Sequence, residues 1–145
     1  MHVFEREAGV IARGLAIPPE AIELHAIPAA GPGNAAWVTV ESAGITEVFS
    51  AIGRKGLPAE RVAGRLVEEV CRYLDADAPV GPHLADQLLL PLALAGGGEF
   101  LATALTRHAR TNAAVIACFG LAHTRWVESA AGVHFRVESA GEAGD

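Results

Sequence analysis

The spacing of apolar residues predicts four helices. Residues 3–15 and 58–75 both have apolar positions at helical intervals, and Val62, Leu66 and Val70 form a continuous stripe along the longer segment. The same pattern predicts two further helices, over Leu84–Ala95 and over Thr111–Phe119, the second with Thr111 as its N-cap.

Shorter segments of alternating or β-branched residues are typical of strands. Residues 21–27 alternate apolar and polar side chains, which predicts a half-buried strand. Turns at Gly44 and at Ala131–Gly132 each separate two such segments, which predicts two β-hairpins. In chain order the predicted strands are Ala21–Ile27, Trp37–Glu41, Ile45–Ile52, Phe100–Leu105, Thr124–Glu128 and Val133–Glu138.

The order of these elements indicates an α+β fold made of two-layer α/β lobes, because the strands and helices do not alternate as in a doubly wound sheet. The Pro- and Gly-containing stretch Ala76–Pro82 predicts the boundary between two lobes. Pro91 removes one backbone hydrogen bond from the third helix, and Gly96–Gly98 should end it. Residues 140–145 are predicted to be a frayed tail.

Composition narrows the function classes. The 145 residues are 51% hydrophobic and 19% charged, which is typical of a globular chain with a core. The formal net charge of −6 argues against nonspecific nucleic-acid binding as the main task, since phosphate contacts need excess Lys and Arg. Cys71 and Cys118 lie in apolar helical patterns, which predicts buried free thiols and suits a reducing cytoplasm. Neither a secretory signal nor a membrane-spanning run is visible, so we expect a soluble cytoplasmic protein.

A polar cluster opens the most apolar predicted helix. His83, Asp86 and Gln87 stand at positions i, i+3 and i+4, which share one face of a helix. A helix N-terminus carries partial positive charge and free N–H groups, so this corner suits a phosphate or a ribose. Asp86 can accept hydrogen bonds from sugar hydroxyls, and the His83 ring can stack on a base. The alternative interpretation is an ordinary helix start with exposed polar residues.

His108 is the candidate nucleophile, on a loop predicted to join a strand to a helix. A neutral imidazole has a nitrogen lone pair, and its attack on a phosphoryl centre would give a phosphoramidate that keeps the group activated. Arg107 and Arg110 could stabilise the developing negative charge. The alternative is a surface histidine beside two arginines. No group of histidines and cysteines has the spacing of a zinc site.

Taken in order, these motifs resemble the C-terminal part of the bacterial and archaeal RNA 3′-terminal phosphate cyclases. The resemblance implies a small inserted-domain-like lobe at residues 1–56 and part of a cyclase-type βαβ repeat, the C-terminal part of the catalytic domain, at residues 57–139. The segments that carry it are Gly31–Asn34, Ile45–Glu47, Pro58–Asp75, His83–Leu88, Pro91–Gly98, His108 and Thr111–Asn112.

For function, the resemblance implies ATP-dependent conversion of an RNA 3′-terminal phosphate to a 2′,3′-cyclic phosphate. This is a ligase-class adenylyl transfer through a covalent histidine–AMP intermediate, assisted by a divalent metal, Mg²⁺ or Mn²⁺. The family's nucleophile matches His108. His83 departs from relatives that carry tyrosine there, and an imidazole offers less area for stacking. The family's adenylate-contacting segment matches His83, Leu84, Ala85, Asp86 and Gln87.

Family members are more than twice as long, so the resemblance implies a C-terminal fragment or one half of a split enzyme that is inactive alone. Its expected partners are the RNA 3′-terminal phosphate and either a separate N-terminal half or a second copy, without a membrane. Self-association is expected because the helix Leu84–Ala95 would lose the sheet that it covers. The alternatives are a non-catalytic cyclase-like RNA-processing or ribosome-biogenesis binding protein, and an inert truncation product.

Overall fold

The computed structural model describes residues 3–142, so residues 143–145 of the predicted tail lie outside the described part. The chain forms two compact units, Met1–Leu74 and Asp75–Asp145. The described elements are α1 (Val3–Gly14), β1 (Ala35–Ser42), β2 (Ile45–Ile52), α2 (Ala59–Leu74), α3 (Pro82–Leu94), β3 (Gly97–Ala102), α4 (Arg107–Cys118), β4 (Ala122–Ser129) and β5 (Gly132–Ser139), with short 3₁₀ turns at Pro19–Ala21 and Ala140–Glu142.

Four helices and two antiparallel sheets confirm the predicted α+β class. The assignment of residues 1–56 to an inserted lobe and of residues 57–139 to a catalytic domain stays a prediction. Among residues 3–142, no helix is both long enough and apolar enough to cross a bilayer.

The first unit is a helical layer on a β-hairpin. Helices α1 and α2 pack together, and α2 contacts both strands of the β1–β2 hairpin. The hairpin turns at Ala43–Gly44, where Gly44 has a φ of +88° that a residue with a side chain rarely adopts. The buried side chains that join helices to hairpin are Ile11, Phe49, Ala63, Leu66, Val70 and Tyr73.

A buried acid closes one end of this unit. Glu7 of α1 is only 3% exposed, and Asn34 Nδ2 donates to both of its carboxylate oxygens at 2.7 Å. Burial raises the pKa of the Glu7 carboxyl above its ordinary value, and the Asn34 hydrogen bonds offset part of that shift. The Glu7 charge is therefore held at a cost to the folded state.

Glu7→Gln is expected to raise the unfolding temperature at pH 7. The folded-state pKa of Glu7 lies above the unfolded value, so the unfolded state binds fewer protons between the two and stability falls as pH rises through that window. The gain should vanish below the unfolded pKa, where both states are protonated. Thermal unfolding from pH 3 to pH 8 measures it. A gain that persists undiminished in acid would contradict this explanation.

Glu60→Gln is the matched control. Glu60 is exposed and pairs with Arg6, with Arg6 Nη2 at 2.6 Å from Glu60 Oε2, and this hydrogen bond lowers the pKa of the Glu60 carboxyl. Because that shift has the opposite sign, Glu60→Gln should give no gain in unfolding temperature at pH 7.

The second unit has two helices on one face of a three-stranded sheet ordered β3–β5–β4. Both outer strands run antiparallel to β5, so β3 and β4 are parallel to each other and α4 is the crossover between them. Phe135 is fully buried at the centre of the inner sheet face, with its ring 4.9 Å from that of Phe100 and 6.4 Å from that of Trp126. Val80 pairs in parallel with Ala102 at the open edge of β3.

The glycine triplet turns α3 back onto the sheet. Helix α3 ends at Leu94, and Gly96 follows its C-cap with a φ of +95°, which confirms the predicted helix terminator. Gly98 sits under the helix, since a Cβ there would lie 2.8 Å from Leu92 Cδ2. The close approach lets α3 pack on β3 and β5, so the expectation that this helix loses its sheet is wrong.

Three other sequence predictions are wrong. Residues 22–34 form no strand, and Leu24 and Ile27 are 56% and 80% exposed, because no neighbouring strand pairs with this segment. Helix α4 begins at Arg107, and its N-cap is Thr106 rather than Thr111, so His108 lies in a helix and not on a loop. Cys118 is exposed and Cys71 is only partly buried. The predicted strand over residues 100–105 is confirmed but begins at Gly97.

The two threonines should differ in their effect on stability. Thr106 Oγ1 accepts the Ala109 N–H at 3.0 Å, whereas the Thr111 hydroxyl only donates back to the Arg107 carbonyl at 3.0 Å. Thr106→Ala is expected to lower the free energy of unfolding by about 1 kcal/mol, because an N-cap is lost. Thr111→Ala should change it by less than about 0.5 kcal/mol. Urea unfolding of both variants tests this, and equal losses would contradict the assignment of the cap.

Candidate functional site

Helix α3 opens with an exposed histidine. Gly81 is its N-cap and Pro82 its first residue, a position where the missing N–H of proline is harmless. His83 and Gln87 are exposed, Ala85 is fully buried, and Asp86 is partly buried. The predicted polar face of His83, Asp86 and Gln87 therefore exists in the structure.

Helix α4 presents a second histidine in the same way. Thr106 caps the helix, and Arg107 and His108 are the first two residues of its first turn. Both side chains are exposed, whereas Ala109 and Ala113 are buried and hold this helix against the unit's core. Because the first backbone N–H groups of a helix lack intrahelical acceptors, His108 stands where an anion is favourable.

The N-termini of the two helices lie at the same end of the unit. Helix α3 enters β3 through a short turn and packs on it, so it runs antiparallel to β3. Helix α4 returns from the end of β3 to the start of β4, so it also runs antiparallel to β3. Helices α3 and α4 are therefore parallel neighbours, and His83 and His108 occupy the second position of each.

A hydrogen bond between the helices fixes their alignment. Asn112 Nδ2 donates to the Asp86 backbone carbonyl at 2.9 Å, joining the second turn of α4 to the second turn of α3. His108 precedes Asn112 by four residues, which puts the two on one face of α4. The bond therefore places the His108 turn beside the turn of α3 that bears His83 and Asp86.

The two arginines beside His108 have different surroundings. The Arg110 guanidinium lies 5.9 Å from the centre of the Trp126 ring and 4.0 Å from Glu128 Oε1, so this side chain is directed toward β4. Arg107 is exposed and makes no ion pair within residues 3–142. Of the two, Arg107 is the cation available to an anion at the start of α4.

The family model for RNA 3′-terminal phosphate cyclases matches residues 10–125, which is most of the chain. The chain belongs to this family. The match includes both units, His83–Gln87 and His108, and it confirms the family expected from the motif order. Membership makes the chain RNA 3′-terminal phosphate cyclase-like and relates it to ligases that act on RNA 3′ ends.

The cyclase-family corner contains an orphaned acceptor. Asp86 Oδ1 is buried and has no hydrogen-bond partner among the residues that the structure describes. A buried carboxylate oxygen without a partner is costly, and a hydroxyl or N–H group supplied by a ligand would satisfy it. The residues present thus suit the ribose and phosphates of a nucleotide, with Asp86 as acceptor and the helix N-termini as donors.

A divalent cation would have few protein ligands here. Within residues 3–142, no three His, Cys, Asp or Glu side chains are grouped so as to hold a metal ion. Mg²⁺ in nucleotide enzymes is commonly held by one or two carboxylates and the substrate's phosphates, so Asp86 as a single donor fits that arrangement.

The structure brings His83, Leu84, Ala85, Asp86 and Gln87 into the first turns of α3 and puts His108 on the neighbouring helix. Leu84 is partly buried and Ala85 fully buried, so these two contribute backbone rather than side chain to any ligand contact. The roles of all six residues remain predictions. Sequence reasoning missed Asn112 as a structural part of the site, although it lies in the motif that carries the family resemblance.

Asn112→Ala is expected to lower the free energy of unfolding by about 1 kcal/mol, because one interhelical hydrogen bond is lost. Asn112→Asp keeps the shape but cannot donate from its carboxylate, which would face the Asp86 carbonyl. It should therefore be at least as destabilising. Urea unfolding monitored by far-UV circular dichroism gives both values, and wild-type stability of Asn112→Asp would contradict the role given to this bond.

Proposed function

We propose that this chain carries the nucleotide-activating part of an RNA 3′-terminal phosphate cyclase. The complete site would convert an RNA 3′-terminal phosphate to a 2′,3′-cyclic phosphate and consume ATP. The observation that carries the proposal is the pairing of His108 with the His83–Gln87 corner through the Asn112–Asp86 bond, in a chain of this family.

His108 is the proposed nucleophile. Its ring is exposed at the start of α4, where the helix N-terminus and Arg107 favour the negative charge of phosphates. A ring nitrogen bonds to the α-phosphorus of ATP, the bond from that phosphorus to the β-phosphate oxygen breaks, and pyrophosphate leaves. The ring's other nitrogen releases its proton, giving the covalent histidine–AMP intermediate.

The second half of the reaction uses the activated adenylyl group. An oxygen of the RNA 3′-phosphate bonds to the adenylyl phosphorus and His108 leaves with its nitrogen lone pair restored. The neighbouring 2′-hydroxyl then attacks the 3′-phosphorus, loses its proton, and displaces AMP. A divalent cation would neutralise phosphate charge during these steps.

The corner of α3 is proposed to hold the nucleotide. Asp86 Oδ1, buried and unpartnered among the described residues, would accept a hydrogen bond from a ribose hydroxyl. Gln87 is exposed and can donate or accept, and the exposed His83 ring can stack against the base. Orientation of the α-phosphorus toward His108 is then the main contribution of these residues.

A labelling experiment tests the nucleophile. The chain, alone and mixed with a matching N-terminal half, is incubated with Mg²⁺ or Mn²⁺ and ATP labelled at the α-phosphate. The mixture is expected to give an acid-labile protein label that falls to background in His108→Ala. His134→Ala is the matched control, because His134 is an exposed histidine on the opposite face of the sheet, and it should keep the label.

Two results would contradict the proposal. Undiminished label in His108→Ala would move the nucleophile elsewhere. A complemented mixture that binds RNA but acquires no label and forms no cyclic phosphate would favour the non-catalytic cyclase-like binding protein.

A further inference from the structure

The β1–β2 hairpin has one face that no element of its own unit covers. Alternate residues point inward, where Val38 and Phe49 pack against the helical layer. The cross-strand pairs of the other face are Ala35 with Ile52, Trp37 with Ser50, Thr39 with Val48 and Glu41 with Thr46, and all eight residues are exposed.

Large apolar side chains occupy this outward face. Trp37 is 59% exposed, Val48 56% and Ile52 71%. Hydroxyl residues, Thr39 and Ser50, separate them in the register. An exposed indole is unusual on a solvated strand, where polar residues normally alternate with buried ones. The hydroxyls distinguish this face from a continuous apolar interface.

Two cations stand at the end of the ladder nearest Trp37. The Gly53 N–H donates to the Asn34 carbonyl at 2.9 Å, and the Leu57 N–H donates to the Arg54 carbonyl at 3.0 Å, closing a turn with Arg54 and Lys55 in it. Trp37 lies two residues from the Ala35–Ile52 pair, about 7 Å at the usual strand rise. The basic turn is thus within a few nucleotides' reach of the indole.

These cations are free for an external anion. Arg54 and Lys55 are exposed, and neither makes an ion pair with an acid in the described part of the chain. The exposed face of the other sheet differs, because Arg125 pairs with Glu138 and Arg136 with Glu99, both at 3.6 Å. The shallow pocket on that second face, about 300 Å³, therefore has its positive charge already neutralised.

We propose that the exposed face of the β1–β2 hairpin, together with the Arg54–Lys55 turn, binds single-stranded RNA. A base stacks on Trp37, the Thr39 and Ser50 hydroxyls contact the ribose or base edge, and Arg54 and Lys55 contact phosphates. Stacking on an aromatic face with adjacent cations is how proteins hold single strands without reading sequence. The site holds nucleotides other than the reacting 3′ end, so it rests on the family and not on the histidine chemistry.

RNA fits this face better than a protein partner does. An apolar protein surface would leave the hydroxyls and the two cations without partners, whereas an RNA strand supplies a π-face, hydroxyls and phosphates together. The only acid on the face, Glu41, lies at the end of the ladder away from the basic turn. The overall charge of −6 keeps the expected affinity modest and strongly dependent on salt.

Binding is measured without ATP, by fluorescence anisotropy of a labelled oligouridine of about ten nucleotides, a length in the range of single-strand sites. Oligomers ending in a 3′-hydroxyl and in a 3′-phosphate are compared and should bind equally. Trp37→Ala is expected to weaken binding about 5- to 100-fold, and Trp37→Phe should restore part of it. In a Trp126→Phe background, where Trp37 is the only tryptophan, RNA should quench its fluorescence.

The cations are tested against a matched pair. Replacing Arg54 and Lys55 by alanine should weaken binding and reduce the slope of log affinity against log salt by about 2, one for each lost phosphate contact. Replacing Arg65 and Arg72 by alanine removes the same charge from the exposed face of α2 and should have a smaller effect.

Several results would overturn the proposal: wild-type affinity of Trp37→Ala, unquenched Trp37 fluorescence, or equal losses from the two double variants. So would sedimentation showing that Trp37→Ala abolishes self-association but leaves RNA affinity unchanged, because the face would then be a protein interface. His108→Ala should keep RNA affinity. Loss of labelling with intact RNA binding would contradict the histidine chemistry alone.

Discussion

The parallel packing of α3 and α4 on one face of the β3–β5–β4 sheet is the constraint on which the candidate site depends. Small residues face the interface and the sheet, with Ala85 and Ala93 on α3 and Ala109 and Ala113 on α4, so the helices can approach closely. The Asn112–Asp86 hydrogen bond then fixes how far one helix is displaced along the other. Without that alignment, His83 and His108 would be two unrelated surface histidines.

This arrangement gives each unit a separate contribution. In the second unit, two helix N-termini, an exposed imidazole and a buried unpartnered carboxylate oxygen form one wall of an open nucleotide site. In the first, an exposed indole and a basic turn offer a surface to an RNA strand. A complete cyclase needs an opposing wall around the phosphates, and the expected N-terminal half would supply it.

Local patterns in the sequence predicted most of the fold. Helix α2 and the β1–β2 hairpin follow from an apolar stripe and from a glycine turn between β-branched segments, and both signals depend only on near neighbours. Residues 22–34 have the alternation of a strand but no partner strand, which alternation alone does not reveal. Thr106 and Thr111 are equally good N-caps by residue type. The buried positions Ala109, Ala113 and Ile116 show that the helical period starts before Thr111. The Asn112–Asp86 bond joins residues 26 apart, so it could be found only from the tertiary structure.

The most direct test of the account locates the adenylyl group itself. The complemented mixture is exposed briefly to ATP and a divalent metal, kept alkaline because phosphoramidates are acid-labile, and digested for tandem mass spectrometry. The account predicts AMP on the ring of His108 and on no other residue. AMP on a lysine or another histidine, or cyclic RNA formed while His108 stays unmodified throughout, would contradict it.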